Sequence, residues 1–436
     1  MGKDPSVNAE KELNRAEFYY EGEDYKKAAK YFTSAAELYF DLDEYKIARE
    51  CYYYAAKSLE SLNKSDKLIE ALRHAGDCAL LVNDFSSSNK FFKSTIRYVP
   101  DLKKVENRNF YYLIYSTLSY LCLFLEGKQD QGLEFIKEIK KNIDNEYFKE
   151  SPYVSLITNL TLALRDKNEK YLKKAESISD EYSFSDAEIY LFNLVIALAK
   201  ANLFLKTELS LDRDQYTTKD IMNFNLNIDS SPLLKVLKNP TYNFKVKELK
   251  ISNVSISFSD NITAQIKPEL PEKLKIGEQC DIKYALKPHF QVDEPFIGPI
   301  SLTCEIDDDF IMHHKIVKVI NPNIISPPPS LDISMKNLRP PLIGQTFPME
   351  FLIENNSEGD ALELQLNLQF PEQLKVMRGT TKKQIYSLSS NDKITWEINL
   401  KPLEVGDYTI DMDFSFKDPD QNLIEDSKTF PFSIKL

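Results

Sequence analysis

The stretch "DYKKAAKYFTSAAELYFDLDEYKIARECYYYAA" (residues 24–56) carries one pattern twice, twenty residues apart. Tyr25, Ala28, Phe32, Ala35 and Tyr39 stand at offsets 0, 3, 7, 10 and 14, and Tyr45, Ala48, Tyr52, Ala55 and Leu59 repeat those offsets. Two more units follow in register. Leu68, Leu72, Ala75 and Ala79 take offsets 3, 7, 10 and 14 from residue 65, and Phe85, Ser88, Phe92, Thr95 and Val99 take the full set from 85. Alternating spacings of 3 and 4 place such residues on one stripe of a helix. Large rings alternating with alanine let a ring on one helix fill the space above a small residue on the next. Units of this kind bury enough surface only as an array. The turns "GED", "LDE", "NKSD" and "VND" that precede the helices supply Asp or Ser as N-caps. The spacing therefore predicts a tetratricopeptide-like α-solenoid over about residues 10–206. Further helices are expected at 104–127, 129–146, 151–165, 168–180 and 184–206.

Composition marks where that half ends. Three prolines precede residue 200 and eighteen lie between 232 and 431, whereas eighteen alanines fall up to position 201 and three after it. Helix interiors favour Ala and reject Pro. The β half reads as a connecting segment (207–242), a first β-sandwich (243–321), a stiff proline-rich linker "NPNIISPPPS" (321–330) and an immunoglobulin-like sandwich (330–436). "FKVKELKISNVSISFS" opens the first sandwich with period-2 alternation. Seven strand-like segments fill the second, and Trp396 falls on the inward side with Ile394 and Ile398.

Chemistry is sparse. The eleven glycines form no GxGxxG and no GxxxxGK, and neither GxSxG nor HExxH occurs. The adjacent His313 and His314 face opposite sides of a strand and cannot chelate one ion. No enzymatic activity and no cofactor are expected. Asp418, Asp420 and Asn422 in "DPDQN" have the oxygen spacing of a calcium loop but lack its glycine and glutamate, and read as a hairpin turn. Five cysteines show no CxxC spacing. Cys280 and Cys304 read as reduced core thiols, with an inter-sheet disulfide as the alternative. A net charge of −12 argues against nucleic acid as a partner. The most apolar run, "IYLFNLVIALAKANLFL" (189–205), is short for a membrane span and carries Lys200. No apolar signal-peptide core opens the sequence, so a cytoplasmic location is expected.

Positive charge concentrates in "KFFKSTIRYVPDLKKVENR" (90–108), where Lys90, Lys93, Arg97, Lys103, Lys104 and Arg108 stand against Asp101 and Glu106. This corner is the candidate interaction site, suited to an acidic helix or to anionic lipid heads.

The repeat stretch from residue 24, with "LIEALRHAGDCALLVNDFSSSNKFFKSTIRY" after it, resembles the soluble NSF attachment proteins, whose long helices carry the same Tyr/Ala alternation and an Ala-Gly step like Ala75-Gly76. The likeness extends over "FLEGKQDQGLEFIKEI" (124–139) and "YFKESPYVSLITNLTLALRDKNEKYLKKA" (147–175), and covers residues 10–205. It implies a vesicle-trafficking adaptor that lays a partly basic face along helical, SNARE-like coiled-coil partners and recruits a hexameric AAA ATPase, with peripheral membrane association. A helical array followed by immunoglobulin-like modules also resembles subunits of the TRAPP tethering complexes. The alternative to the trafficking adaptor is a general tetratricopeptide-type scaffold for peptides, or a TRAPP-like subunit without a SNARE or ATPase link.

Overall fold

Turns of three or four residues between rods of similar length force each helix to run back along the one before it. The structure, a computed structural model, describes residues 5–143, 145–237, 247–266 and 268–435. It opens with α1 (Pro5–Glu21), α2 (Tyr25–Asp41), α3 (Tyr45–Glu60), α4 (Ser65–Leu81) and α5 (Phe85–Tyr98), each packed on the next. The starts of α2 to α5 coincide with the four repeat origins. The connections are copies of one turn. Glu23, Asp43, Asn63 and Asn83 adopt φ of 55°, 60°, 52° and 59°. The N–H of each following residue (Asp24, Glu44, Lys64, Asp84) donates to the carbonyl five positions back, on Tyr19, Tyr39, Leu59 and Ala79, at 2.9–3.2 Å. That is the closing bond of a left-handed helix C-cap.

Capping is less uniform than the turn residues suggest. Asp24 and Asp84 accept from the N–H groups of Lys27 and Ser87, but Glu44 and Lys64 in the equivalent places make no side-chain cap. A glutamate reaches one methylene too far, and an ammonium cannot accept.

Within the stripe, Ala28, Ala35, Ala48 and Ala55 have no exposed surface, and Phe32 and Tyr52 are buried between them. Tyr25 and Tyr45, at the helix starts, are half-buried. A tight interlock joins α4 to α5, where the Phe92 ring lies so close to Gly76 that a methyl there would stand 2.7 Å from it. Ser88 donates to the Gly76 carbonyl at 2.9 Å in the same contact.

The helical half continues through α6 (Val105–Leu125), α7 (Gly132–Asn142), α8 (Asn145–Glu150), α9 (Pro152–Asp166), α10 (Glu169–Glu181) and α11 (Asp186–Phe204). The last is apolar on every side and is sheathed by α4, α6, α9 and α10. By length and composition α11 could also cross a membrane, although 72% of its apolar window is buried inside this fold. Its Lys200 pairs with Glu176 of α10.

The expected connecting segment 207–242 is a correction. Its residues supply β1 (Lys206–Leu211), β2 (Gln215–Thr217) and β3 (Met222–Asp229). Met222, Phe224, Leu226 and Ile228 alternate inward on β3, which pairs with β7 further along the chain. The boundary expected at 243 lies outside the described residues. After it come β4 (Glu248–Phe258), β5 (Ile262–Ala264), β6 (Leu274–Lys275), β7 (Gln279–Pro288), β8 (Ile297–Ile306), β9 (Phe310–Ile316) and β10 (Asn323–Ile325). They form one sheet in the order β1-β3-β7-β5, a second in the order β6-β4-β8-β9, and a parallel pair of β10 with β2. The proline-rich linker therefore begins as a strand of this domain rather than as a free spacer.

The second β domain has eight strands, one more than the seven segments read from the sequence: β11 (Leu331–Asn337), β12 (Phe347–Asn355), β13 (Ala361–Gln369), β14 (Leu374–Arg378), β15 (Lys382–Leu388), β16 (Lys393–Pro402), β17 (Gly406–Lys417) and β18 (Leu423–Ile434). The additional one is β15. Sheets ordered β11-β12-β16-β14 and β15-β13-β17-β18 enclose a core of their own. Trp396 lies in it, 5% exposed and tilted against Phe351.

From α4 onward the helical half shares one continuous core with the first β domain, while α1, α2 and α3 pack into smaller clusters of their own with α4. Strand β9, an edge of its sheet, is covered by α6 and α11. Gln129 donates to the carbonyls of Phe124 and Ile311 at 2.6 Å each, Asn202 donates to the His313 carbonyl at 2.8 Å, and the Phe85 and Phe310 rings meet at 5.6 Å. His314 is buried at this junction, its Nδ1 3.0 Å from the Asn202 carbonyl, and burial lowers its pKa to about 4. The chain is thus a helical N-terminal half followed by a β-rich C-terminal half.

Candidate interaction surface

The six basic residues of the candidate site fall into three groups. Lys90, Lys93 and Arg97 project from the exposed side of α5 at offsets 0, 3 and 7, so Lys90 and Arg97 are separated by ~10 Å of helix rise. Lys103 and Lys104 are exposed in the turn between α5 and α6. Arg108, in the first turn of α6, is spent internally. Its Nε donates to the Leu102 carbonyl at 2.5 Å, so it braces the corner rather than facing a partner. Among the described residues the other five form no ion pair. Glu60 of α3 accepts from the Tyr98 hydroxyl at the end of α5.

A second feature was not singled out in the sequence. Rings knit α1, α2, α3 and α5 together on one side. Tyr20 meets Tyr54 at 5.6 Å, Phe32 stacks on Tyr54 at 5.4 Å, and Tyr53 meets Phe91 of α5 at 5.9 Å. Tyr53 and Tyr54 keep 38% and 40% of their surface, and Lys57 lies over both rings at 4.6 and 5.6 Å. Lys27 lies 4.8 Å over Tyr19, and Arg15 5.7 Å from the Tyr31 ring. Cations held on exposed aromatic faces give a surface that is both sticky and positive. The run "CYYYAA" was its signal in the sequence: the repeat accounts for Tyr52, and the two extra tyrosines point out.

Between α4, α9 and α11 lies a buried polar group. Asp77 is 6% exposed and its Oδ1 has no hydrogen-bond partner, while Oδ2 stands 3.6 Å from the Arg73 guanidinium and 3.9 Å from His74. Opposite, Glu188 of α11 accepts from the Tyr153 hydroxyl and from the Ser185 N–H and hydroxyl, each at 2.8 Å. Burial raises the Asp77 pKa to about 7 against the pull of Arg73, and Glu188 adds to the rise. Its signal in the sequence was a carboxylate inside the apolar run "HAGDCALL".

The remaining candidates have structural uses. Asp418 accepts from the Asn422 N–H and amide at 2.8 and 2.9 Å, and Asp420 accepts from the Ser326 N–H of the linker at 3.1 Å. Cys280 and Cys304 stand on opposite sheets as free thiols, with burial pushing them up to about 11 and about 12. Among the described residues no His, Cys, Asp or Glu group is arranged to hold a metal ion.

No family model matches the chain, and no curated protein matches it. Solved structures similar to it include the CARDB domain of the PF1109 protein from Pyrococcus furiosus, in complex with di-metal ions, at 15% identity, covering 25% of this chain and 90% of that one, with a TM-score of 0.20. The cohesin module of a family 33 glycoside hydrolase from Clostridium perfringens is similar at 14% identity, over 24% and 99% of the two chains, with a TM-score of 0.19. The adhesin InvE of Yersinia pseudotuberculosis is similar at 9% identity, over 52% and 60%, with a TM-score of 0.19. At such scores these likenesses identify neither a family nor a function.

Proposed function

We propose that the chain is a non-enzymatic adaptor or tether. Its helical half is read as a tetratricopeptide-like α-solenoid resembling the attachment proteins of membrane trafficking, and its β domains as two immunoglobulin-like modules. The solenoid binds helical, coiled-coil partners, and the β modules hold that surface at a distance from whatever their own ends contact. One observation carries this reading: cations from Lys90 to Lys104 that form no ion pair among the described residues, beside a ladder of half-exposed rings that hold further cations. An acidic helical bundle offers charge to the first and methylene stems to the second.

The test uses the full chain and a labelled acidic two-stranded coiled coil, followed by fluorescence anisotropy. Binding is expected to weaken steeply with salt, and to fall about tenfold or more in Lys103→Glu/Lys104→Glu and in Tyr53→Ala/Tyr54→Ala. Absence of binding, or binding indifferent to both double variants, would refute the reading.

A further inference from the structure

The second β domain carries an unusual end. Its strands run so that the loops at 338–346, 370–373 and 403–405 and the last residues of β18 meet at one pole. The linker enters at the other pole, where Ser326 bonds Asp420 and Pro327 packs on Gly359. The first pole is therefore the one directed away from the rest of the chain.

Its loops are laced together. The Gly344 N–H donates to the Pro402 carbonyl at 2.9 Å, the Leu403 N–H to the Gln373 carbonyl at 2.9 Å, and Leu342 bridges Lys435 in a parallel pairing. On this braced frame Leu338, Leu342, Ile343, Leu403 and Val405 stand 43–49% exposed. Five aliphatic side chains on turn tips, stiffened by the Pro340-Pro341 pair, make the kind of clustered apolar surface that soluble proteins seldom leave uncovered.

Charge is polarised along the same axis. Arg339, Lys375, Lys401 and Lys435 surround the apolar pole and outnumber Glu372, Glu404 and Asp407. The opposite pole collects Glu354, Glu358, Asp360, Asp392, Asp418 and Asp420 against Lys393 and Lys417. A domain that is acidic as a whole thus turns its least acidic end and its greasy end the same way.

We propose that this pole is a membrane-contacting tip, which inserts its aliphatic side chains into the interface of an anionic bilayer while the surrounding cations meet the headgroups. Side chains standing on turn tips suit a fluid phase that moulds round them. The charge arrangement repels the acidic pole from an anionic surface and so fixes the orientation. The inference stands apart from the helical surface and uses none of its residues.

The test is flotation of the full chain with vesicles of phosphatidylcholine alone and of phosphatidylcholine with phosphatidylserine. The wild type is expected to float with the anionic vesicles. Leu342→Ser/Ile343→Ser and Leu403→Ser/Val405→Ser are each expected to lower the bound fraction by at least ~10-fold with no change in melting temperature. Arg339→Glu/Lys401→Glu should weaken anionic binding alone. The proposal is overturned if the wild type stays off both vesicles, or if the loop variants float as it does. It is also overturned if Lys103→Glu/Lys104→Glu by itself removes binding, or if the loop variants abolish a concentration-dependent dimer instead.

Discussion

Replacing Asp77 by asparagine should stabilise the protein at neutral pH, and the gain should grow with pH. In the unfolded chain the carboxyl titrates near 3.8, and in the fold near 7, because burial outweighs the attraction of Arg73. A folded pKa above the unfolded one means that the native state holds a proton the unfolded state has given up. The contribution of Asp77 is thus most favourable below pH 3.8, declines as pH rises, and is fully lost once pH passes 7. At ~1.4 kcal/mol per pKa unit, the ionised group costs about 4 kcal/mol at pH 8 and less than about 1 kcal/mol at pH 4. Asparagine keeps the shape and the hydrogen-bonding capacity without the charge. Arg73, at 36% side-chain exposure, can be solvated when its partner is gone. Urea unfolding followed by far-UV circular dichroism at about pH 4, 6 and 8 measures the difference. An advantage that climbs by a few kcal/mol across this range fits the argument. A constant advantage, or an Asp77→Asn variant less stable than the wild type at pH 8, would refute it.

Three further outcomes follow from the packing. Gly76→Ala, which in an open helix gains up to ~1 kcal/mol, should here destabilise by about 1–3 kcal/mol, because the new methyl meets the Phe92 ring; thermal denaturation decides the sign. Glu23→Gly should stabilise by ~0.5–1 kcal/mol by relieving a left-handed glutamate, while Asn83→Gly gains less because asparagine tolerates that conformation; urea midpoints give the comparison. Differential scanning calorimetry should resolve the second β domain as a transition apart from one in which the first β domain melts with α4 to α11; a separate transition for the first β domain would contradict the shared core.

Local periodicity carried the helical half, and pairing between distant segments hid the rest. The repeat located four helix starts to the residue because every unit of twenty contains its own stripe and its own turn. Strand β3, "MNFNLNID", alternates without a fault yet lies in the stretch that composition marks as a connection. Its near partner β1 ("KTELSL") alternates only weakly, and its other partner, β7, lies beyond residue 278. Strand β15 was hidden by its charge, with Lys382 and Lys383 at its start and an outward Tyr386. At the candidate surface the charges could be counted in advance, but not how each is used. Nothing local says that Arg108 turns back to Leu102, or that Asp77 faces Glu188 across three helices. Those facts depend on how the later helices close over the earlier ones.

The matching turns at residues 23, 43, 63 and 83 decide where this chain can change length. The rods seated against α11 and β9 come from α4 onward, and Phe85 at the start of α5 meets Phe310. A twenty-residue module gained or lost ahead of α4 leaves that seat untouched and only lengthens or shortens the leading end, whereas one inserted between α4 and α6 would reverse the direction of one against the other. Changes in the reach of the protein are therefore confined to its front.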